Sequence, residues 1–171
     1  MNRFLLGVLM GSLGTLSAWT EESWLEAGEY DEVQVVVAAD AHENDRLAAQ
    51  EFASYWEKAT GHSVAVGDTP GGGVNVWIGV KGIPESLLEG IDLEALAPDG
   101  LHIRSHASPP VGRKALVIVG AGDRGALNGV YEFFERYIGV RWLAPGDTFV
   151  PAPPQTPLPE HPAPWERSTP E

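Results

Sequence analysis

Apolar positions along the chain alternate between two spacings, and the changes of spacing mark the elements. Residues 33–39 (VQVVVAA) form an almost unbroken apolar run, which predicts a buried strand. After a turn over residues 40–43, Asn44 is the expected N-cap of a helix and Asp45 suits its first turn. Ala48, Phe52, Tyr55, Trp56 and Ala59 then recur at helical spacing on one face, and Gly61 is the expected C-cap. A short strand at residues 63–66 and a Gly/Pro loop at residues 67–73 lead to another apolar strand at residues 74–80 (VNVWIGV). Residues 84–96 carry a short helix or two. Leu101, Ile103 and Ser105 alternate with His102, Arg104 and His106, the pattern of a half-exposed strand. Pro109, Pro110 and Gly112 break the chain. Residues 114–119 (KALVIV) return as a fully apolar strand, expected to pair antiparallel with the one before. Asp123 is the expected cap of the last helix, whose face is Leu127, Val130, Tyr131, Phe134, Tyr137 and Ile138. Gly139 ends that helix, and residues 140–143 extend briefly before Pro145.

The order is β-α-β-β-(short α)-β-β-α, which predicts an α/β fold with a mixed sheet and two main helices against it. The expected core is Val35, Val37, Phe52, Tyr55, Val76, Ile78, Ile103, Val117, Val119, Val130, Tyr131 and Phe134. There is no internal repeat.

Both ends depart from this pattern. Residues 1–19 read as a secretory signal peptide, with Arg3 as the positive n-region and an apolar or small-residue run over residues 4–18. That run is short against the roughly 20 residues that span a bilayer. At the other end, eight of the 14 prolines fall in the last 21 residues. Each proline removes an N–H donor, so residues 151–171 read as an extended, semi-rigid linker to a further domain. Residues 20–150 are left as the folded unit, exported to the periplasm or beyond.

Composition changes this picture little. The 171 residues carry 24 acidic and 11 basic side chains, a net charge of −13. That balance excludes a phosphate-backbone binder and a basic attachment to anionic lipid. The absence of cysteine removes disulfides and a lipoprotein attachment site, so the fold rests on its core.

Candidate chemistry is sparse. Gly120, Gly122 and Gly125 fit G-x-G-x-x-G between a strand and a helix, the local context of a dinucleotide site. Against it, the following strand offers Arg141 where a ribose-binding carboxylate belongs about 20 residues on. Asp123 would also face the incoming phosphate, and the motif closes the domain rather than opening it. Glycines for a tight turn and Asp123 as a cap explain the run without a nucleotide. His102 and His106 have the spacing of a zinc pair on a helix, but on a strand four residues span roughly 13 Å, too far for one ion. Glu43, Asp45, Glu51, Glu57, Glu132 and Glu135 fall on polar helix faces or caps, as a solvated face requires. Gly71, Gly72 and Gly73 lack the following Lys-Ser/Thr of a phosphate loop. No serine lies in a nucleophile elbow. The tryptophans include Trp24, Trp56, Trp77 and Trp142. Burial in a core or interface accounts for them, and stacking on a sugar is the alternative for one left exposed.

Residues 125–151 read GALNGVYEFFERYIGVRWLAPGDTFVP. This run resembles the N-terminal domain of bacterial glycoside-hydrolase-like proteins, the small domain that precedes the barrel in α-glucuronidases and β-N-acetylhexosaminidases. The pattern is a glycine turn, G-x-x-x-G-V-Y-E-F-L-E, then L-G-V-R-W-x-A-P-G and V-P, with Phe134 and Ile138 here in place of leucine. Earlier blocks agree in order. Residues 48–61 (AAQEFASYWEKATG) resemble the A-x-E-L-x-x-Y-L-x-x-x-T-G helix, with Phe52 and Trp56 substituted. Residues 74–79 match I-x-I-G, and Asp99, Gly100 and Leu101 match the D-G-F turn. The resemblance covers about residues 33–151.

The resemblance implies an α/β sandwich with the helices on one face of a mixed sheet. It also implies that the catalytic acid and nucleophile lie on a following (β/α)-barrel, so no catalytic, cofactor or metal residue carries over. Arg141, Trp142 and Pro145 are the expected anchors against that barrel. The expected function is an exported, non-catalytic accessory domain of a polysaccharide-degrading glycoside hydrolase. The alternatives are a free-standing glycan- or protein-binding module and, more weakly, a nucleotide-binding domain using Gly120, Gly122 and Gly125. The expected partners are the barrel and a polysaccharide, with no nucleic acid and no membrane once the signal is removed.

Overall fold

The computed structural model describes residues 23–25, 27–96, 98, 100–106, 113–151 and 158–159. The expected signal peptide therefore lies outside the described residues, as does most of the proline-rich segment.

The chain begins with β1 (Ser23–Leu25) and a 3-10 helix (Ala27–Glu32), neither foreseen from the sequence. It continues through β2 (Val33–Val36), α1 (Glu43–Thr60), β3 (Ala65–Gly67) and β4 (Val74–Ile78). Next come α2 (Glu85–Leu88), β5 (Leu101–His106), β6 (Ala115–Gly120) and α3 (Gly125–Phe133). A π-helical turn (Phe134–Ile138), β7 (Arg141–Ala144), β8 (Asp147–Phe149) and β9 (Leu158–Pro159) complete it.

Five strands form one mixed sheet in the order β3-β2-β4-β6-β5. The first four are parallel, and β5 closes the edge antiparallel to β6, as the sequence predicts. Alternate side chains divide between the two faces. Val35, Val76, Ile78, Ile103, Leu116 and Ile118 face α1 and α3, whose Ala48, Phe52, Trp56, Val130 and Phe134 complete the main core. Val36, Trp77, Ala115, Val117 and Val119 face the other way. There α2 and the segment after it cover them with Ile83, Leu87, Leu88, Ile91 and Leu93. The two main helices thus share one face, and a thinner apolar layer closes the other.

That second layer corrects the expectation of a half-exposed β5. His102 is buried at 6% exposure, and Arg104 reaches over the layer to donate to the carbonyls of Glu89 (2.6 Å) and Gly90 (3.5 Å). The polar side chains of β5 alternate correctly, but their face is covered too.

Two caps also differ from expectation. α1 begins one residue before Asn44, because the His42 Nδ1 accepts the Asn44 N–H at 3.3 Å and so acts as the cap. α3 begins at Gly125 behind Arg124, with no side-chain cap, and Asp123 lies exposed 3.9 Å from His42 Nε2 instead. The buried face of α3 is shifted as well. Gly125, Ala126, Gly129, Val130 and Phe133 are buried, while Leu127, Tyr131 and Tyr137 pack only partly against the core. Small residues face the sheet because the helix lies very close to it. A Cβ on Gly129 would come within 2.6 Å of the Ile118 side chain. The helix ends where Gly139 and Val140 both donate to the Phe134 carbonyl, at 2.9 and 3.0 Å.

Phe52 joins the two helices. Its ring stacks on Trp56 (5.6 Å, 14°) and meets Phe133 and Phe134 at 5.4 and 5.1 Å. Trp56, not Tyr55, is the fully buried residue of this turn, and its indole N–H donates to the Tyr30 carbonyl at 3.4 Å. At the far end, β9 pairs antiparallel with β1, so the proline-rich segment includes a two-residue strand. Proline is tolerated in such an edge position.

These contacts rank substitutions. Gly125→Ala would set a Cβ 2.5 Å from the Gly120 carbonyl carbon and 2.7 Å from the Gly100 oxygen, both backbone atoms. It should destabilise by more than about 2 kcal/mol in urea unfolding. Phe52→Ala should cost about 3–5 kcal/mol, the usual loss of a buried ring. Gly72→Ala, which meets open space, should leave the midpoint within about 0.5 kcal/mol of the parent.

Candidate functional site

The chemistry-bearing residues that the fold brings together lie where α1, α3 and the β7–β8 hairpin meet. Pro145 and Gly146 form the hairpin turn, and Gly146 sits at φ 83°, as the second position of a Pro-Gly turn requires. Arg141 pairs with Phe149 and Trp142 with Thr148. Trp142 and Thr148 are half-buried, while Arg141, Leu143, Pro145 and Phe149 are exposed.

Trp142 is the root of the hairpin. Its indole N–H donates to the Tyr55 hydroxyl at 3.0 Å. Its ring stands edge-to-face on Tyr55 (5.7 Å, 81°) and on Tyr131 (5.2 Å, 83°). Tyr55 and Tyr131 meet each other at 6.4 Å and 73°, so the three rings are close to mutually perpendicular. Each such contact adds about 0.5–1.5 kcal/mol beyond its buried area. Arg141 ties the hairpin to the helix end by donating to the Glu135 carbonyl at 2.8 Å and the Val140 carbonyl at 2.9 Å.

The polar rim is paired. The Tyr131 hydroxyl donates to Glu51 Oε2 at 3.2 Å. Glu132 meets Arg136 at 3.2 Å, and Glu135 lies 3.9 Å from Arg141. Lys58 Nζ sits 4.7 Å from the centre of the Tyr55 ring. Burial, reinforced by the Glu51 carboxylate, pushes the Tyr131 phenol up to about 12. An open groove of about 840 Å³ runs between the hairpin and the rings, lined by Tyr55, Tyr131, Trp142, Ala144, Pro145 and Thr148 among others. A smaller one of about 430 Å³, lined partly by Asn128, Glu132 and Glu135, shares Tyr131 and Trp142 with it.

The other sequence candidates lie elsewhere. Gly120 and Gly125 cross backbone to backbone, where a Cβ on Gly120 would fall 2.1 Å from the Gly125 carbonyl carbon. The Ala121 N–H, expected to face a phosphate in a dinucleotide site, is taken by the Gly100 carbonyl at 2.8 Å. Close packing therefore accounts for the G-x-G-x-x-G run. Asn75 holds the triple-glycine loop, accepting from the Gly71 N–H at 2.8 Å and donating to the Gly73 carbonyl at 3.2 Å. Of the acidic residues expected on solvated faces, Asp45, Glu51 and Glu132 are half-buried. Burial raises the Asp45 carboxyl, which lies beside the turn at Gly79. Among the described residues no group of His, Asp or Glu is arranged to hold a metal ion, and no helix is long and apolar enough to cross a membrane.

The reading of the sequence missed β8 and the partnership of Glu51 and Tyr55 with Tyr131. Pro145-Gly146 was the available signal for β8: proline followed by glycine between two short β-prone runs.

The raised phenol has a measurable consequence. The folded chain holds the Tyr131 proton longer than the unfolded chain does, so its stabilising effect is present below about pH 10 and is lost as pH rises through about 12. Burial also raises the Tyr137 phenol, so phenolate absorbance should show two late tyrosines, with Tyr131 the last. Tyr131→Phe should abolish the last step and leave that of Tyr137. Glu51→Gln should bring the Tyr131 step down only partway, because burial is the larger cause.

No family model matches this chain. No curated protein matches it either. Among solved structures it is similar to a family GH115 4-O-methyl-α-glucuronidase with specificity for decorated arabinogalactans, at 14% sequence identity and a TM-score of 0.44. The match covers 61% of this chain and 14% of that one, so the chain spans a small part of that enzyme's length.

Proposed function

We propose that this chain is the accessory α/β domain of an exported carbohydrate-active enzyme, an α-glucuronidase-like glycoside hydrolase that acts on polysaccharide. Its own role is to support a catalytic barrel. The supporting observation is the ordered set of sequence blocks, each of which builds a distinct part of the fold. Residues 48–61 make most of α1, residues 74–79 make β4, and residues 125–151 make α3, the π turn and the hairpin. Export rests on Arg3 and the apolar run at residues 4–18.

Within this reading Arg141, Trp142 and Pro145 divide the work of presenting one surface. Trp142 and Arg141 fasten the hairpin to the two helices, and Pro145 sets its turn. The hairpin then offers Leu143 and Phe149, exposed at 67% and 51%, with Leu143 also lining the groove beside Trp142. Large apolar side chains left in water on one hairpin mark a contact surface. The occupant in this reading is the barrel of the same enzyme.

Transcripts extending past codon 171 should continue in frame into a barrel sequence, and the purified chain should release no phenol from aryl glycosides. Joined to its barrel, the domain should lose the barrel's thermal protection on Leu143→Asp with Phe149→Asp. Aryl-glycoside turnover by the chain alone would overturn the reading. So would a transcript that ends without a barrel, if none associates with the chain.

A further inference from the structure

We propose that the groove between the β7–β8 hairpin and the Tyr55–Tyr131 pair is a binding site for a neutral polysaccharide strand. Every residue it uses belongs to this domain, and Leu143, offered above to the barrel, also lines this groove.

Charge narrows the occupant. The chain carries a net −13, yet the groove is locally balanced. Glu132 and Glu135 are paired with Arg136 and Arg141, and Glu51 accepts from the Tyr131 hydroxyl. An anionic ligand would work against the field of the whole chain. A cationic one would meet Lys58 already seated on the Tyr55 ring, with both arginines close by. A neutral ligand is repelled by neither.

Shape and chemistry point to a sugar rather than an apolar peptide. Trp142 and Tyr131 line both grooves, so an extended ligand can run past the same two rings. Pyranose rings present C–H faces suited to aromatic side chains and hydroxyls around their edges. The smaller groove supplies acceptors at Glu132 and Glu135, and the larger one a hydroxyl at Thr148, beside apolar Leu143, Ala144 and Pro145. The volume of about 840 Å³ lies within the usual range for ligand sites.

The test titrates the full chain with xylohexaose, cellohexaose and galactohexaose, and with oligogalacturonate as the anionic probe. Tryptophan fluorescence and calorimetry follow binding. At least one neutral hexaose should saturate with a dissociation constant near 1 mM or below, and oligogalacturonate should bind about tenfold more weakly. Trp142→Ala should weaken the neutral ligand by at least about tenfold. Because that change also loosens the hairpin, Ala144→Glu is the second variant. Ala144 is exposed on the groove, so Ala144→Glu should keep the parent's Tm and still lose binding by about tenfold. Failure of all three neutral hexaoses to saturate by about 10 mM would overturn the proposal. Undiminished binding by Ala144→Glu would also overturn it. A concentration-dependent dimer that Ala144→Glu abolishes, with no sugar bound, would assign the groove to a second copy of the chain.

Discussion

The contact on which the rest depends is the meeting of Phe52 with Phe133 and Phe134. It is the middle of the interface between α1 and α3, and its rings are fully or almost fully buried. Helical geometry carries it outward. Tyr55 lies three residues after Phe52, and Tyr131 three residues before Phe134, so each half-buried tyrosine shares a face with a buried ring. Tyr55 also packs on Phe134 at 5.6 Å. The inner aromatic contact therefore fixes the separation of the two tyrosines, and that separation receives Trp142. The groove is thus the solvent edge of the core and inherits the rigidity of the core. A change at Phe52 would be felt at the hairpin without touching it.

A second constraint sets how close α3 lies to the sheet. Gly120, Gly125 and Gly129 leave no room for a Cβ. The same glycines that fit a phosphate-binding pattern are the ones this packing needs. The two explanations differ in where the backbone N–H groups go. A phosphate site keeps them free, whereas here the Ala121 N–H is bonded to the Gly100 carbonyl. The motif was legible as a strand-to-helix turn, and its meaning depended on a residue 21 positions earlier in the chain.

That dependence on distant partners explains what could and could not be read from the chain alone. Continuous apolar runs and helical periodicity report local burial, so β2, β4, β6, α1 and the antiparallel β5–β6 pair were legible. Alternation reports only which side chains share a face. It does not say whether a face is covered, and β5 was misjudged because the layer over its histidines comes from residues 83–93. Asn44 and Asp123 were reasonable caps by type, but a neighbouring side chain displaced one and a tighter turn displaced the other. Trp142 was legible as a conspicuous residue. Its partners Tyr55 and Tyr131 were not, since they lie 87 and 11 positions away, nor was Glu51, which accepts from Tyr131 across 80 positions.

The β7–β8 hairpin shows how site and fold constrain each other. A two-stranded hairpin is marginal in water, and this one has a shifted register between Trp142 and Ala144. Its order depends on one face. Trp142 contributes an indole hydrogen bond and two edge-to-face contacts there, while Arg141 adds two bonds to the helix end. Fastening Trp142 there leaves Leu143 and Phe149 in water, and Leu143, at the register shift, lines the groove beside Trp142. Leu143 therefore belongs both to the exposed apolar surface of the hairpin and to the wall of the groove, so whatever occupies the one bears directly on the other.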